Sequence, residues 1–310
     1  MEKLIDITSE PVLSMLDLLL KDKTTKQNII WANDTYKQYG KGFYKKEQIR
    51  KSLLLKHPDL LKPRVQKSKE IQRSRQRKKA EVFTPAWLCN KMINYHDADW
   101  FQKDVFTIEH PDHTWTPIRD PVEFPAGKTW KQYVDAKCIE VTCGEAPFLV
   151  SRYDAATGEK IDSVSDRIGI LDRKMRIVNE NVKSYDEWIK WTVRSFEATY
   201  GYEFQGDSLL IARINLLLTF CDYYRDRWNS DPEKKLLKKI TNRIVWNVWQ
   251  MDGLKDTIPY GHIYKEYEQL SFDTFQKEGE PEQEIVYCRI FNWRANHSDV
   301  LKDLKRHHEE

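Results

Sequence analysis

The 310-residue chain contains no apolar run of the roughly 18 residues that a membrane span requires. Its opening residues lack the basic stretch, apolar stretch and small-residue cleavage site of a secretory leader. Five cysteines, Cys89, Cys138, Cys143, Cys221 and Cys288, are odd in number and scattered, with no CxxC pair. That fits a reducing, cytoplasmic setting away from membranes better than a disulfide framework, and argues against structural zinc. His110 and His113 flank Asp112, but no second ligand pair accompanies them, so no metal is expected. Gly127-Lys128-Thr129 ends like a phosphate loop, yet Val122 stands where such a loop needs glycine. No serine elbow or Cys-His spacing supports hydrolysis, and no acid followed by Glu-x-Lys supports a nuclease. Internal repeats and low-complexity tracts are also missing.

What is present suffices for a folded core, since 40% of residues are hydrophobic. The net charge is only +3, but it is unevenly placed. Lys62, Arg64, Lys67, Lys69, Arg73, Arg75, Arg77, Lys78 and Lys79 fall in one stretch whose only acid is Glu70. Such a run supplies phosphate contacts and predicts double-stranded DNA as a partner, through Arg64, Lys67, Arg73, Arg75, Arg77, Lys78 and Lys79. A solvated helix or linker is the alternative. Eleven Trp and fifteen Tyr offer flat faces that could stack on bases.

The chain divides into a helical N-terminal region with a basic arm (1–80) and an α/β domain (81–310). Thr8 and Ser9 can cap a first helix, with Pro11 in its first turn and Val12, Met15, Leu16 and Leu19 at helical spacing. A second helix is predicted over 45–56. Pro85 opens a short helix after Thr84. Residues 97–136 read as a long ordered loop. After a strand ending at Glu140, helices are predicted over 185–200, 207–228 and 232–242, with Ile244-Val-Trp-Asn-Val-Trp as a β-rich run. Strands alternating with helices imply a parallel sheet with crossovers.

Three strand ends carry an acid: Glu140, Glu203 and Asp252. In open α/β sheets that carboxyl edge binds ligands. Cys138-Ile-Glu-Val-Thr-Cys-Gly-Glu-Ala-Pro-Phe-Leu-Val is the most telling stretch. An apolar run stops at a carboxylate and passes into a turn where Gly144 allows close approach of the backbone to a ligand.

Residues 81–255 resemble the S-adenosylmethionine-dependent amino DNA methyltransferases, in particular the adenine-N6 enzymes and modification subunits of restriction systems. Phe83-Thr84-Pro85 resembles the family's helix start beside the cofactor's methionine end. Glu140-Val-Thr142-Cys143-Gly144-Glu-Ala146 resembles its cofactor loop. Gly201-Tyr-Glu203 is similar to the segment whose acid binds ribose, Ile211-Ala212-Arg213 and Asn215 to the helix after it, and Asp252-Gly253 to the acid near adenine. The resemblance implies a Rossmann-like methyltransferase sheet, or its cofactor-binding half alone, with S-adenosylmethionine held by Thr84, Pro85, Glu140, Thr142, Cys143, Gly144, Ala146, Glu203 and Asp252.

The departures are specific. Val141 and Ala146 replace the loop's usual Pro and last Gly. The family's catalytic Asn/Asp-Pro-Pro-aromatic motif is absent; Thr257-Ile-Pro259-Tyr260 comes nearest but lacks the side-chain amide. An exocyclic amine is a poor nucleophile unless it is held with its lone pair facing the methyl group, so binding and chemistry separate here. In the family the Glu140 strand is central. A half sheet leaves it as an edge to be covered by residues 284–293, the 97–136 loop, a second copy, or a partner subunit. Two readings follow: a DNA methyltransferase completed by a partner, or a catalytically inactive binding protein of that fold with a regulatory, specificity or anti-restriction role.

Overall fold

A computed structural model describes residues 3–79, 84–262 and 284–306, without the side chains of 78, 79, 305 and 306. Helix α1 (Val12–Leu19) buries Val12, Met15, Leu16 and Leu19, the i, i+3, i+4, i+7 set of an amphipathic helix. The second helix, α2 (Lys51–Lys56), is shorter than its sequence suggests. Residues before it are extended instead: Ile30 bridges Gln48, and the Ile49 N–H donates to the Ile29 carbonyl. Helix α3 (Lys69–Lys79) carries the basic arm.

Helix α4 (Ala86–Phe101) is longer than the short helix expected after Pro85 and takes the first residues of the expected 97–136 loop. The rest of that loop holds a hairpin, β1 (Thr107–Glu109) with β2 (Trp115–Pro117), and α5 (Trp130–Asp135). Strand β3 (Cys138–Glu140) follows, then α6 (Ile170–Asn181), α7 (Tyr185–Glu197), β4 (Thr199–Glu203), α8 (Gly206–Trp228), α9 (Lys234–Asn247) and β5 (Val248–Gln250). A second hairpin, β6 (Arg289–Asn292) with β7 (His297–Val300), leads into α10 (Leu301–Arg306). The run from Ile244 to Asn247, expected as strand, is the last turn of α9. Leu237, Ile240, Thr241, Ile244 and Val245 are buried at helical spacing, and that face decides the local structure.

The fold is mixed α/β around a small three-stranded parallel sheet of order β3-β4-β5. β4 is the middle strand and the Glu140 strand is an edge. Neither hairpin joins the sheet, and among the described residues no strand pairs with the free side of β3. Ile139 is 52% exposed there. The other expected cover, residues 284–293, instead runs beside Met251–Ile258: Cys288, Ile258, Met251, Trp249 and Tyr200 form a small cluster of their own.

One core cluster contains Ile5, Leu16, Leu19, Trp31 and Leu54 together with residues of α6, α7, α8 and α9. The N-terminal region thus shares its core with the helices beside the sheet. Among the described residues no helix is long and apolar enough to cross a membrane.

Candidate cofactor site at the carboxyl edge of the sheet

Beyond Glu140 the parallel ladder continues for one more bond, from the Cys143 N–H to the Tyr202 carbonyl (2.8 Å). The chain then turns sharply. Thr142, Gly144 and Ala146 all have positive φ, of 50°, 55° and 66°. Left-handed backbone costs a residue with a Cβ about 1–2 kcal/mol, so two such residues around a glycine mark a loop held in shape by its surroundings. The Gly144 N–H donates to Glu203 Oε2 at 2.9 Å, and the Gln205 N–H donates to Oε1 of the same carboxylate at 2.9 Å. Glu203 is buried at the end of the middle strand, and its carbonyl accepts from the Met251 N–H just past β5. One acid therefore ties all three strand ends together. A Cβ built on Gly144 would meet nothing within 4 Å, so the loop borders open space on that side.

Glu140 does not present its carboxylate as a free acceptor. It turns back onto its own loop and accepts from the Leu149 N–H at 3.2 Å, with the Phe148 N–H at 3.5 Å. Burial drives its carboxyl pKa well above the usual range, and nearby Glu203 adds to that. Glu140 acts as a brace for the loop. Cys143 and Ala146 are buried beneath it, and burial, with Glu140 and Glu203 close by, raises the Cys143 thiol pKa.

Thr84 and Pro85 precede α4, whose first N–H, at Ala86, donates to Asp154 Oδ2 at 2.7 Å. Ala86 and Cys89 pack with Ile168 and Phe148, which places this helix start against the far end of the loop. Phe83 lies outside the described residues. Asp252 makes a turn: its Oδ1 accepts from the Leu254 N–H at 3.1 Å, and its carbonyl from Lys255 and Asp256. A Cβ on Gly253 would lie 2.6 Å from the Tyr202 ring, so the turn is pressed onto β4. Tyr260 stands beside Phe204 with ring centroids 5.6 Å apart, and its hydroxyl donates to the Ala32 carbonyl at 3.1 Å. Thr257, at the head of that stretch, is bridged to Asp252 and Tyr287.

No protein-family model, curated protein or solved structure matches the chain.

The basic arm contributes to this site in a way its sequence conceals. Asp207, in the first turn of α8, is fully buried and accepts from Lys67 Nζ at 2.8 Å, Arg75 Nη1 at 2.7 Å, the Tyr36 hydroxyl at 2.8 Å and Asn33 Nδ2 at 3.1 Å. Burial alone would raise its pKa, but Arg75 and Lys67 outweigh that and hold the carboxyl far below the usual range. Arg64 is buried as well; its backbone N–H donates to Glu145 Oε1 at 2.6 Å and its guanidinium to the Gln72 carbonyl. The assignment of Arg64, Lys67 and Arg75 to a DNA-facing surface is therefore corrected: these cations are internal and lock the arm to the sheet. Arg73 and Arg77 are exposed, and the side chains of Lys78 and Lys79 lie outside the described residues.

The N-terminal segment is fastened to the same edge. Gln250 accepts from the Ile30 N–H at 2.9 Å and donates to the Ile30 and Phe204 carbonyls at 2.8 Å. The Gly206 N–H donates to the Trp31 carbonyl. Asp207, Gln250 and Asn33 carry this assembly and were not singled out in the sequence. The one available signal was an acid in the first turn of a long helix, which also suits a simple dipole role.

Proposed function

We propose that the chain binds S-adenosylmethionine at the carboxyl edge of its parallel sheet. In this reading it is a Rossmann-like relative of the adenine-N6 DNA methyltransferases that does not itself hold the target amine. The observation that carries it is the joint at Gly144 and Glu203: a left-handed glycine facing open space, bonded through its N–H to a buried acid at the end of the middle strand. That arrangement fits a nucleoside with a charged tail. Glu203 would accept from the ribose hydroxyls, the Thr142–Gly144 backbone would lie along the cofactor, Asp252 would stand by the adenine, and Thr84–Pro85 by the methionine end. When bound, the cofactor supplies an electrophilic methyl group; the chain's residues bind and orient it.

Calorimetry tests this directly. Glu203→Ala should weaken S-adenosylmethionine binding at least about tenfold, roughly the 1.4 kcal/mol of one good hydrogen bond to a charged group. Folded wild-type protein giving no heat at millimolar cofactor would sink the proposal.

A second reading, binding without transfer, is favoured by one feature. Where the family's amine-holding motif would stand, Thr257 is tied into bridges with Asp252 and Tyr287 and offers no amide. Transfer of labelled methyl to double-stranded DNA by the purified chain alone would reject this second reading. Transfer only when a partner subunit is added would support completion at the free side of β3.

A further inference from the structure

Arg213, within α8, is fully buried and forms no ion pair among the described residues. Its guanidinium donates only to carbonyls: Val248 at 2.7 Å, Leu19 at 2.6 Å, Lys21 at 2.9 Å and Val245 at 3.4 Å. Burial lowers its pKa to about 10, with Asp22 acting the other way. A cation held by dipoles alone keeps its charge, and its field reaches the nearest surface.

That surface is a cleft of about 680 Å³ where α9 ends and β5 begins. Lys21, Lys23, Lys26 and Arg289 line it together with Trp246. None of the four forms an ion pair among the described residues. Lys23 Nζ donates to Asn242 Oδ1 at 2.7 Å and stands 5.6 Å from the centre of the Trp246 ring, and Arg289 Nε donates to Ser298 Oγ at 3.1 Å. Burial, then Arg213, lowers the Lys23 ammonium. Asp22 is the one acid on the wall. It is buried, and its carboxylate accepts within its own turn, from the Thr25 N–H at 2.9 Å and the Thr24 N–H at 3.3 Å.

The walls are tied to one another. Lys21 bridges Asn28, and the Lys26 N–H donates to the Asp22 carbonyl at 2.9 Å, closing the turn that carries three of the cations. The Arg289 N–H donates to Thr24 Oγ1 at 3.0 Å, which fixes the β6–β7 hairpin to that turn. Phe291 of the same hairpin packs on Trp246 with ring centres 5.1 Å apart. Like charges held in a fixed concavity repel one another, and an anion from outside relieves that repulsion.

We propose that this cleft binds a small anion bearing two or more linked phosphates. Its volume falls within the roughly 300–1,000 Å³ of ligand pockets. Several cations around one carboxylate suit a multiply charged chain better than a lone phosphate, and Arg289 adds a planar fork for phosphate oxygens. A bounded cleft, unlike a stripe, favours a compact ligand over a duplex. It lies at the start of β5, whereas Gly144 and Glu203 stand at the carboxyl edge, so it is separate from the proposed cofactor site.

Calorimetry of the full chain tests this at about 150 mM salt, where screening over about 8 Å mutes diffuse attraction. Inorganic tripolyphosphate should bind at one site, with orthophosphate at least about tenfold weaker. Lys21 and Lys26 are exposed, so the double variant Lys21→Gln, Lys26→Gln keeps the fold, as its melt will check; it should weaken tripolyphosphate at least about tenfold. Lys183→Gln with Lys190→Gln, also exposed, removes the same charge beside and within α7 and should change affinity by less than about twofold. ATP as tight as tripolyphosphate would make the ligand a nucleotide, and weaker ATP an unsubstituted polyphosphate; both support the assignment. No heat at millimolar tripolyphosphate, orthophosphate binding as tightly, equal weakening by the two double variants, or duplex DNA binding in its place and lost in the cleft variant would each overturn it.

Discussion

Asp207 is fully buried and Glu140 half-buried, and they answer pH in opposite directions. Asp207 has a folded pKa below its unfolded value, so its contribution is complete above the ordinary carboxylate range and lost as pH falls through and below about 4. Glu140 has a folded pKa above its unfolded value. Its contribution is complete below about 4.3 and is lost as pH rises from there toward the folded value. Glu140→Gln should therefore match wild type in urea melts near pH 4 and exceed it at pH 7. A variant less stable than wild type at pH 7 would show that the ionised carboxylate is what braces the loop. Asp207→Ala strands Lys67 and Arg75 inside the protein. It should cost about 3–5 kcal/mol in the same melts, the usual penalty for leaving buried charge unpaired.

Helix α3 shows how far an element can be read from its own sequence. The run of cations is plain, but nothing local says that Arg75 turns inward while Arg73 and Arg77 stay in water; that depends on an acid 132 residues away. On the proposal that the chain contacts DNA through its basic arm, Arg73→Glu and Arg77→Glu should each weaken that binding on every sequence alike and flatten the log-affinity against log-salt slope by about 1. Arg75→Glu should instead lower the melting temperature. Equal effects of all three on DNA affinity, with none on melting, would restore the surface role of Arg75. Helix α8 was legible almost to its ends, because a 23-residue pattern leaves little ambiguity. The end of α9 was not: Ile244-Val-Trp has strand-type residues, and only packing against α1, α7 and α8 reveals the helical face. At the site the strand-end acids and Gly144 were visible, whereas the inward turn of Glu140 was not, since a carboxylate's direction is set by which N–H groups the fold brings to it.

At the scale of the whole molecule, the sequence suggests a helical region before residue 80 and an α/β domain after it, but the core is shared between them. Trp31, Leu16 and Leu19 are buried with α8 and α9 residues. A chain beginning at residue 81 should fail to give a cooperative thermal transition. The joint between the two parts is tight at Gly206, where an added Cβ would lie 2.0 Å from the Ile30 carbonyl oxygen. Gly206→Ala should cost about 1–3 kcal/mol, the range for overpacking, and should loosen the segment Gln250 holds. Hydrogen exchange at Ile30 and Trp31 would report it.

Two of the bonds to Glu203 come from main-chain N–H groups, at residues 144 and 205. Every amino acid except proline carries that group, so substitution at Gln205 leaves its donor in place. Gly144 is different: a side chain finds room there, but its φ of 55° taxes any Cβ. Saturation mutagenesis of the loop should thus give an uneven tolerance map. Position 203 would admit almost nothing, 144 would accept alanine or asparagine at reduced fitness, and 205, whose side chain is buried, would keep its donor through any replacement but proline while accepting only side chains that fit its site.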